Sequence, residues 1–131
     1  MKTSDIEIEL KRAEFFDSEL ITSNPAPKYS DVIDALLEEK GLKRSDIIRE
    51  LNYDRTYGYQ ILNGTRVPTK KQIIEIALFI GITTEQLQQL LKICGREVLY
   101  ARNIEDAKVM YALEHSYTYE KAVEFVWGGE Y

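Results

Sequence analysis

Between residues 44 and 71 the chain concentrates side chains that suit hydrogen bonding to bases and phosphates. Arg55 can donate a two-pronged pair to a guanine edge, and Gln60 can make a donor–acceptor pair with adenine. Thr56 or Tyr59 can meet a thymine methyl group. Arg44, at the start of a helical pattern, can hold phosphate with its charge and the free backbone N–H groups together. Asn63, Thr65, Arg66, Lys70 and Lys71 follow and are placed to grip neighbouring phosphates.

Charge is distributed to match. The whole chain carries a formal net charge of −5, which on its own argues against a polyanionic partner. Residues 41–72, however, hold Lys43, Arg44, Arg49, Arg55, Arg66, Lys70 and Lys71 against Asp46, Glu50 and Asp54 only. One basic block therefore lies between two acidic flanks. Hydrophobic residues at 44% and charged residues at 30% of 131 suit a soluble globular protein. The longest apolar run, IIEIALFIGI, is interrupted by Glu75 and is too short to span a bilayer. The charged N-terminus lacks a signal-peptide hydrophobic region, and a lone cysteine, Cys94, cannot form an internal disulfide. A cytoplasmic protein is expected.

These side chains need rigid elements, and the pattern supplies helices. Residues 1–28 read as an N-terminal arm. Ile6, Leu10, Ala13, Phe16 and Leu20 recur at helical spacing, although IEIEL also suits a strand and a loose tail fits as well. NPAPK breaks any regular element. Ser30 or Asp31 can cap a helix that ends at Gly41, with Val32, Ile33, Leu36 and Leu37 inward. A short helix near 44–51 leads to Asn52, where a tight turn calls for a left-handed residue. Asp54 caps a helix at about 55–62, with Gly58, Ile61 and Leu62 turned inward and Arg55, Thr56, Tyr59, Gln60 and Asn63 outward. Thr69 caps a helix over 70–80, and Thr83 with Gln86 forms a capping box for another that stops at Gly95. Two further helices are expected at 104–115 and 118–127, before Gly128-Gly129. The fold class is all-α.

The segment GLKRSDIIRELNYDRTYGYQILNGTRVPTKKQIIEIALFIGIT resembles the Xre-type, lambda-repressor-like helix-turn-helix. The resemblance covers about residues 30–94. It rests on the spacing of Leu42, Ile47, Leu51, Ile61, Gly64, Pro68 and Ala77 and on the run I-x-N-G-x-R-x-P. It implies a five-helix DNA-binding domain over 29–94, whose helix 55–62 enters the major groove while the helix beginning at Arg44 rests on the backbone. Two positions depart together: Ile48 stands where the family has a small residue, and Gly58 where it has a branched aliphatic. The bulk lost at 58 is then supplied from 48. Leu62, often Glu in the family, and Lys43, usually a Ser or Thr cap, are further departures.

Residues 95–131 add two amphipathic patterns. They suit dimerisation or a protein partner, and equally a cover for the domain's own apolar flank. Tyr100, Tyr111, Tyr117, Tyr119, Trp127 and Tyr131 cluster there. Enzymatic chemistry finds little support: His115 and Cys94 are single, Glu38-Glu39 and Glu105-Asp106 read as solvated helix faces, and no phosphate loop is present. No metal or cofactor is expected. The sequence therefore leads to a sequence-specific, homodimeric regulator of double-stranded DNA. The rival from another class is a protein-interaction adaptor or antitoxin-like partner that keeps the helix-turn-helix shape.

Overall fold

The computed structural model describes residues 1–128, so Gly129 and Tyr131 of the expected helix stop and aromatic cluster lie outside the described residues. Nine helices and no strands occur among the described residues: α1 (Thr3–Arg12), α2 (Glu19–Thr22), α3 (Tyr29–Glu39), α4 (Arg44–Glu50), α5 (Arg55–Leu62), α6 (Lys70–Ile80), α7 (Thr84–Ile93), α8 (Ile104–Glu114) and α9 (Tyr119–Trp127). No helix among them is long and apolar enough to cross a membrane.

Local chemistry sets most of the boundaries. The Asp54 carboxylate accepts the Tyr57 N–H at 3.1 Å and starts α5. Thr69 and Gln72 exchange reciprocal bonds at the start of α6, as do Thr83 and Gln86 at α7. Asn52 adopts φ 57°, the left-handed conformation its short polar side chain tolerates. Lys43 cannot accept a bond at the N-cap of α4, but Asp46 reaches back to its N–H at 2.8 Å and supplies half of a capping box. Helix α3 begins earlier than Ser30 or Asp31, at Tyr29. The reason is burial: Tyr29 is 8% exposed and belongs to the core, so the chain turns into the helix to place that ring.

Helix α6 is the axis of the molecule. Ile73, Ile74, Ile76, Ala77, Leu78 and Ile80 are all buried, which is more than one helical face. Helices α7, α8 and α9 pack around it, α4 packs on α5, and α3 packs on α7. Burying each of these large aliphatic side chains contributes about 1.5–3 kcal/mol, so covering α6 on several sides is a principal source of stability. The covers from the C-terminal third are Val109 and Ala112 of α8 and Ala122 and Val126 of α9. The inward faces of those helices are thus used within the chain, leaving Ile104 and Tyr111 as their exposed large hydrophobic residues, with Tyr100 exposed in the connection before α8.

The 95–103 connection is held to α7 by Gln88. Its Nε2 donates to the Leu99 carbonyl at 3.0 Å, and its Oε1 accepts the Leu99 N–H at 2.7 Å. Asp106 corrects one expectation. It is 6% exposed rather than part of a solvated face, because its Oδ2 accepts from Lys70 Nζ at 3.2 Å and from the Tyr100 N–H at 2.9 Å. Glu105 instead accepts the Trp127 indole N–H. The arm is different in kind: α1 and α2 bury no residue, and Phe15 and Phe16 stand 79% and 76% exposed.

Candidate nucleic-acid interface

Helices α4 and α5 are joined by residues 51–54 and packed on one another. Gly58, Ile61 and Leu62 face inward. A Cβ built on Gly58 would lie 2.9 Å from Ile48 Cγ1 and 3.2 Å from Tyr53 Cβ, so the α4–α5 crossing is filled by Ile48. The close approach explains glycine in mid-helix, where it costs about 1 kcal/mol relative to alanine.

The outer side of α5 carries two grades of exposure. Arg55 and Thr56 are exposed, with no hydrogen bond or ion pair from either side chain among the described residues. Tyr59 and Gln60 are half-buried. Gln60 is also engaged: its Oε1 accepts Arg66 Nε at 2.8 Å, and its carbonyl accepts the Arg66 N–H at 3.0 Å. The amide nitrogen of Gln60 remains as a donor. Tyr59 packs against the core.

The loop after α5 is held in shape by its own chemistry. Asn63 Oδ1 accepts the Thr65 N–H at 2.9 Å, closing an Asx turn and leaving the Asn63 amide nitrogen outward. The Arg66 guanidinium lies 5.5 Å from the centroid of Tyr57. Tyr57 in turn accepts Gln72 Nε2 at 2.9 Å, and the same glutamine's Oε1 accepts the Thr69 N–H at 2.9 Å. Gln72 thereby fastens α5 to the start of α6. Behind the loop, Arg96 donates to the Pro68 carbonyl at 2.9 Å.

Not every cation of the basic block is free. Arg44 forms a bidentate pair with Asp34, with Nε to Oδ1 at 2.8 Å and a terminal nitrogen to Oδ2 at 2.7 Å. That hydrogen bond raises the Arg44 pKa, with the Asp34 charge adding to it. Its charge is neutralised at home, although three of its five N–H donors remain. Lys70 pairs with the buried Asp106. Arg49 pairs with Asp46 and Glu50. Lys71 is exposed and lies 5.1 Å from the Trp127 ring centroid. Arg55, Arg66, Lys71 and Lys43 therefore carry the basic character that is not countered by an ion pair. Lys43 was read from the sequence as part of the basic block and as an unusual cap, not as a phosphate contact. Its signal was its place at the N-cap of α4, where Asp46 accepts its backbone N–H while its exposed side chain forms no ion pair among the described residues.

Of the expected interface residues, the structure joins Gln60, Asn63, Thr65 and Arg66 into one bonded unit with α5. It commits Arg44 and Lys70 to carboxylates outside the block. His115 lies elsewhere, its Nδ1 2.9 Å from the Tyr111 carbonyl at the end of α8 and its ring stacked on Tyr111. Compared with protein-family models, with curated proteins and with solved structures, the chain matches none.

Proposed function

We propose that the protein is a sequence-specific double-stranded DNA-binding transcriptional regulator of the Xre type, which inserts α5 into the major groove. The observation that carries this reading is Arg55. It occupies the first turn of α5, where the helix dipole is positive and a cation costs stability. An exposed arginine held there without a carboxylate partner suits an external anion or guanine edge better than it suits the fold. Beside it, Thr56 and the free amide of Gln60 offer the remaining base contacts. Arg66, Lys71, Asn63 and Thr65 then hold the flanking phosphates, with Arg44 contributing N–H donors more than charge. A homodimer places two such helices on successive half-sites.

Duplex binding followed by fluorescence anisotropy across salt concentrations tests this. Releasing counterions from about three to five phosphates gives a log–log slope of roughly −3 to −5. No binding at low salt would overturn the reading.

One observation favours a second reading, a protein-interaction adaptor or antitoxin-like partner. The acidic arm displays Ile8, Leu10, Phe15, Phe16 and Ile21 to solvent, more apolar surface than an isolated short segment needs. Retention of a protein partner by the full chain, with no DNA affinity, would support it.

A further inference from the structure

Helices α8 and α9 carry a cluster of aromatic rings that reaches the surface. Tyr111 stacks on His115 with ring centroids 3.8 Å apart, and meets Tyr117 and Phe125 at 5.9 and 5.7 Å. Tyr117 and Phe125 meet each other at 5.5 Å. Tyr111 is 47% exposed, and His115 is exposed beside it. Two lysines border the rings: Lys121 Nζ lies 4.1 Å from the Tyr117 centroid, and Lys108 Nζ 5.5 Å from that of Phe125. Neither lysine forms an ion pair among the described residues. Three carboxylates of these helices are engaged elsewhere: Asp106 holds Lys70, Glu105 accepts the Trp127 indole N–H, and Glu114 accepts the Thr84 hydroxyl at 3.3 Å. Glu120 and Glu124 are exposed and pair with neither lysine.

The same chain carries the complement. Between residues 13 and 27 the arm has Glu14, Asp17 and Glu19 and no cation. Phe15 and Phe16 stand among these carboxylates, 79% and 76% exposed. The arm does not settle on its own fold, since α1 and α2 bury no residue. One surface is aromatic with two unpaired cations, and the other is aromatic with three carboxylates. Each leaves apolar area in water that docking would remove.

We propose that the arm of one chain docks on the α8–α9 patch of a second copy, and that the exchange is reciprocal about a two-fold axis. Phe15 and Phe16 pack on Tyr111, Tyr117 and Phe125, while Glu14 and Glu19 meet Lys108 and Lys121. Aromatic side chains are what interfaces concentrate, and a two-fold doubles each contact. A phenylalanine buries at least about 150 Å², so four of them and the patches beneath them reach roughly 1,200 Å². That is the lower end of a specific interface and suits a dimer that dissociates in the micromolar range. The inference deepens the homodimer of the proposed regulator by naming its surfaces. It shares no residue with the DNA-facing side of α5 and its loop, and it needs no DNA.

Analytical ultracentrifugation of the full chain over a range of concentrations tests this, with two charge-reversed variants alongside. Lys108→Glu with Lys121→Glu makes the patch acidic, and Glu14→Lys with Glu19→Lys makes the arm basic. Alone, each variant sets like charges against one another and dimerises at least about tenfold more weakly than the native chain. Mixed in equal amounts, the two restore opposite charges at both contacts, and dimerisation returns toward native strength. Phe15→Ser with Phe16→Ser weakens dimerisation at least as much. It leaves the melting temperature of the dilute monomer unchanged, because the arm buries no residue. A native chain that stays monomeric, whether its own arm or nothing covers the patch, would overturn the proposal. Variants that dimerise like the native chain, or a mixture as weak as its components, would do the same. A dimer without duplex affinity would count against the DNA reading alone, and a monomer that still binds duplex against this interface alone.

Discussion

Ile48 and Gly58 share one space: the position of a Cβ on Gly58 lies 2.9 Å from Ile48 Cγ1 and 3.4 Å from its Cδ1. Side chain on α4 and its absence on α5 are a single packing solution. Gly58→Ile alone overpacks the crossing and destabilises the protein by about 1–3 kcal/mol. Ile48→Ala in the same chain recovers most of that loss, so the double-mutant cycle shows strong coupling in chemical denaturation. A double variant no more stable than Gly58→Ile would contradict shared space.

The ion pair between Lys70 and Asp106 ties the start of α6 to α8. Asp106 is the more sensitive partner, since it also receives the Tyr100 N–H. Asp106→Ala strands that donor and leaves Lys70 half-buried without its carboxylate, and costs about 2–4 kcal/mol. Lys70→Ala costs less, because water reaches the lysine. Urea denaturation of both variants measures the order, and equal small losses would show that the pair is merely superficial.

The same contacts show where sequence reasoning reached and where it stopped. Caps and left-handed turns are local, so Asp54, Asn52, Thr69 and Thr83 declared the ends of α4 to α7 in their own residue types. The inward placing of Gly58, Ile61 and Leu62 followed from the periodicity of α5, whereas Tyr59, expected outward, packs against the core. The crossing at Ile48 and Gly58 was visible as two linked departures from a family pattern. Partner choice among charges is not periodic. Nothing local tells Arg44 to bind Asp34 across the turn at Gly41, or Lys70 to bind Asp106 at a separation of 36 residues. Those two pairings turn an apparent seven-cation surface into a smaller one. Tyr29 escaped because a buried aromatic at a helix's first position looks from sequence like a loop residue after Pro27.

Glu75 gives a pH signature. Burial between α6 and its covers raises its pKa above the ordinary 4.5, while Lys71 pulls it partly back. A carboxyl group whose folded pKa is raised is protonated more readily in the folded state. Stability is therefore highest below the ordinary value and is lost as pH rises through the raised one. Glu75→Gln removes that loss. It raises the melting temperature at pH 7 and leaves it unchanged near pH 3.5, by calorimetry at the two values. A gain of equal size at both would assign it to something other than ionisation.

Asp34 restrains Arg44, and its removal separates charge from position. Asp34→Ala frees the guanidinium and adds one uncompensated cation to the α4 side. Affinity for DNA of arbitrary sequence rises severalfold and the salt slope steepens by about one unit. Anisotropy titrations on a random-sequence duplex measure both. An unchanged slope would mean that Arg44 lies away from the phosphates.

Arg55 is proposed to serve DNA rather than the fold, and one paired measurement decides between the two. Bound fragments are selected from a random duplex pool with the native chain and with Arg55→Ala, and the thermal stability of both proteins is recorded alongside. The account predicts a two-fold symmetric consensus for the native chain, loss of preference at one guanine position per half-site in the variant, and a melting temperature that does not fall. Removing a cation from the first turn of α5 relieves the helix dipole by about 0.3–1 kcal/mol. No enriched consensus with the native chain, or an Arg55→Ala variant that loses stability and keeps its base preference, would contradict it.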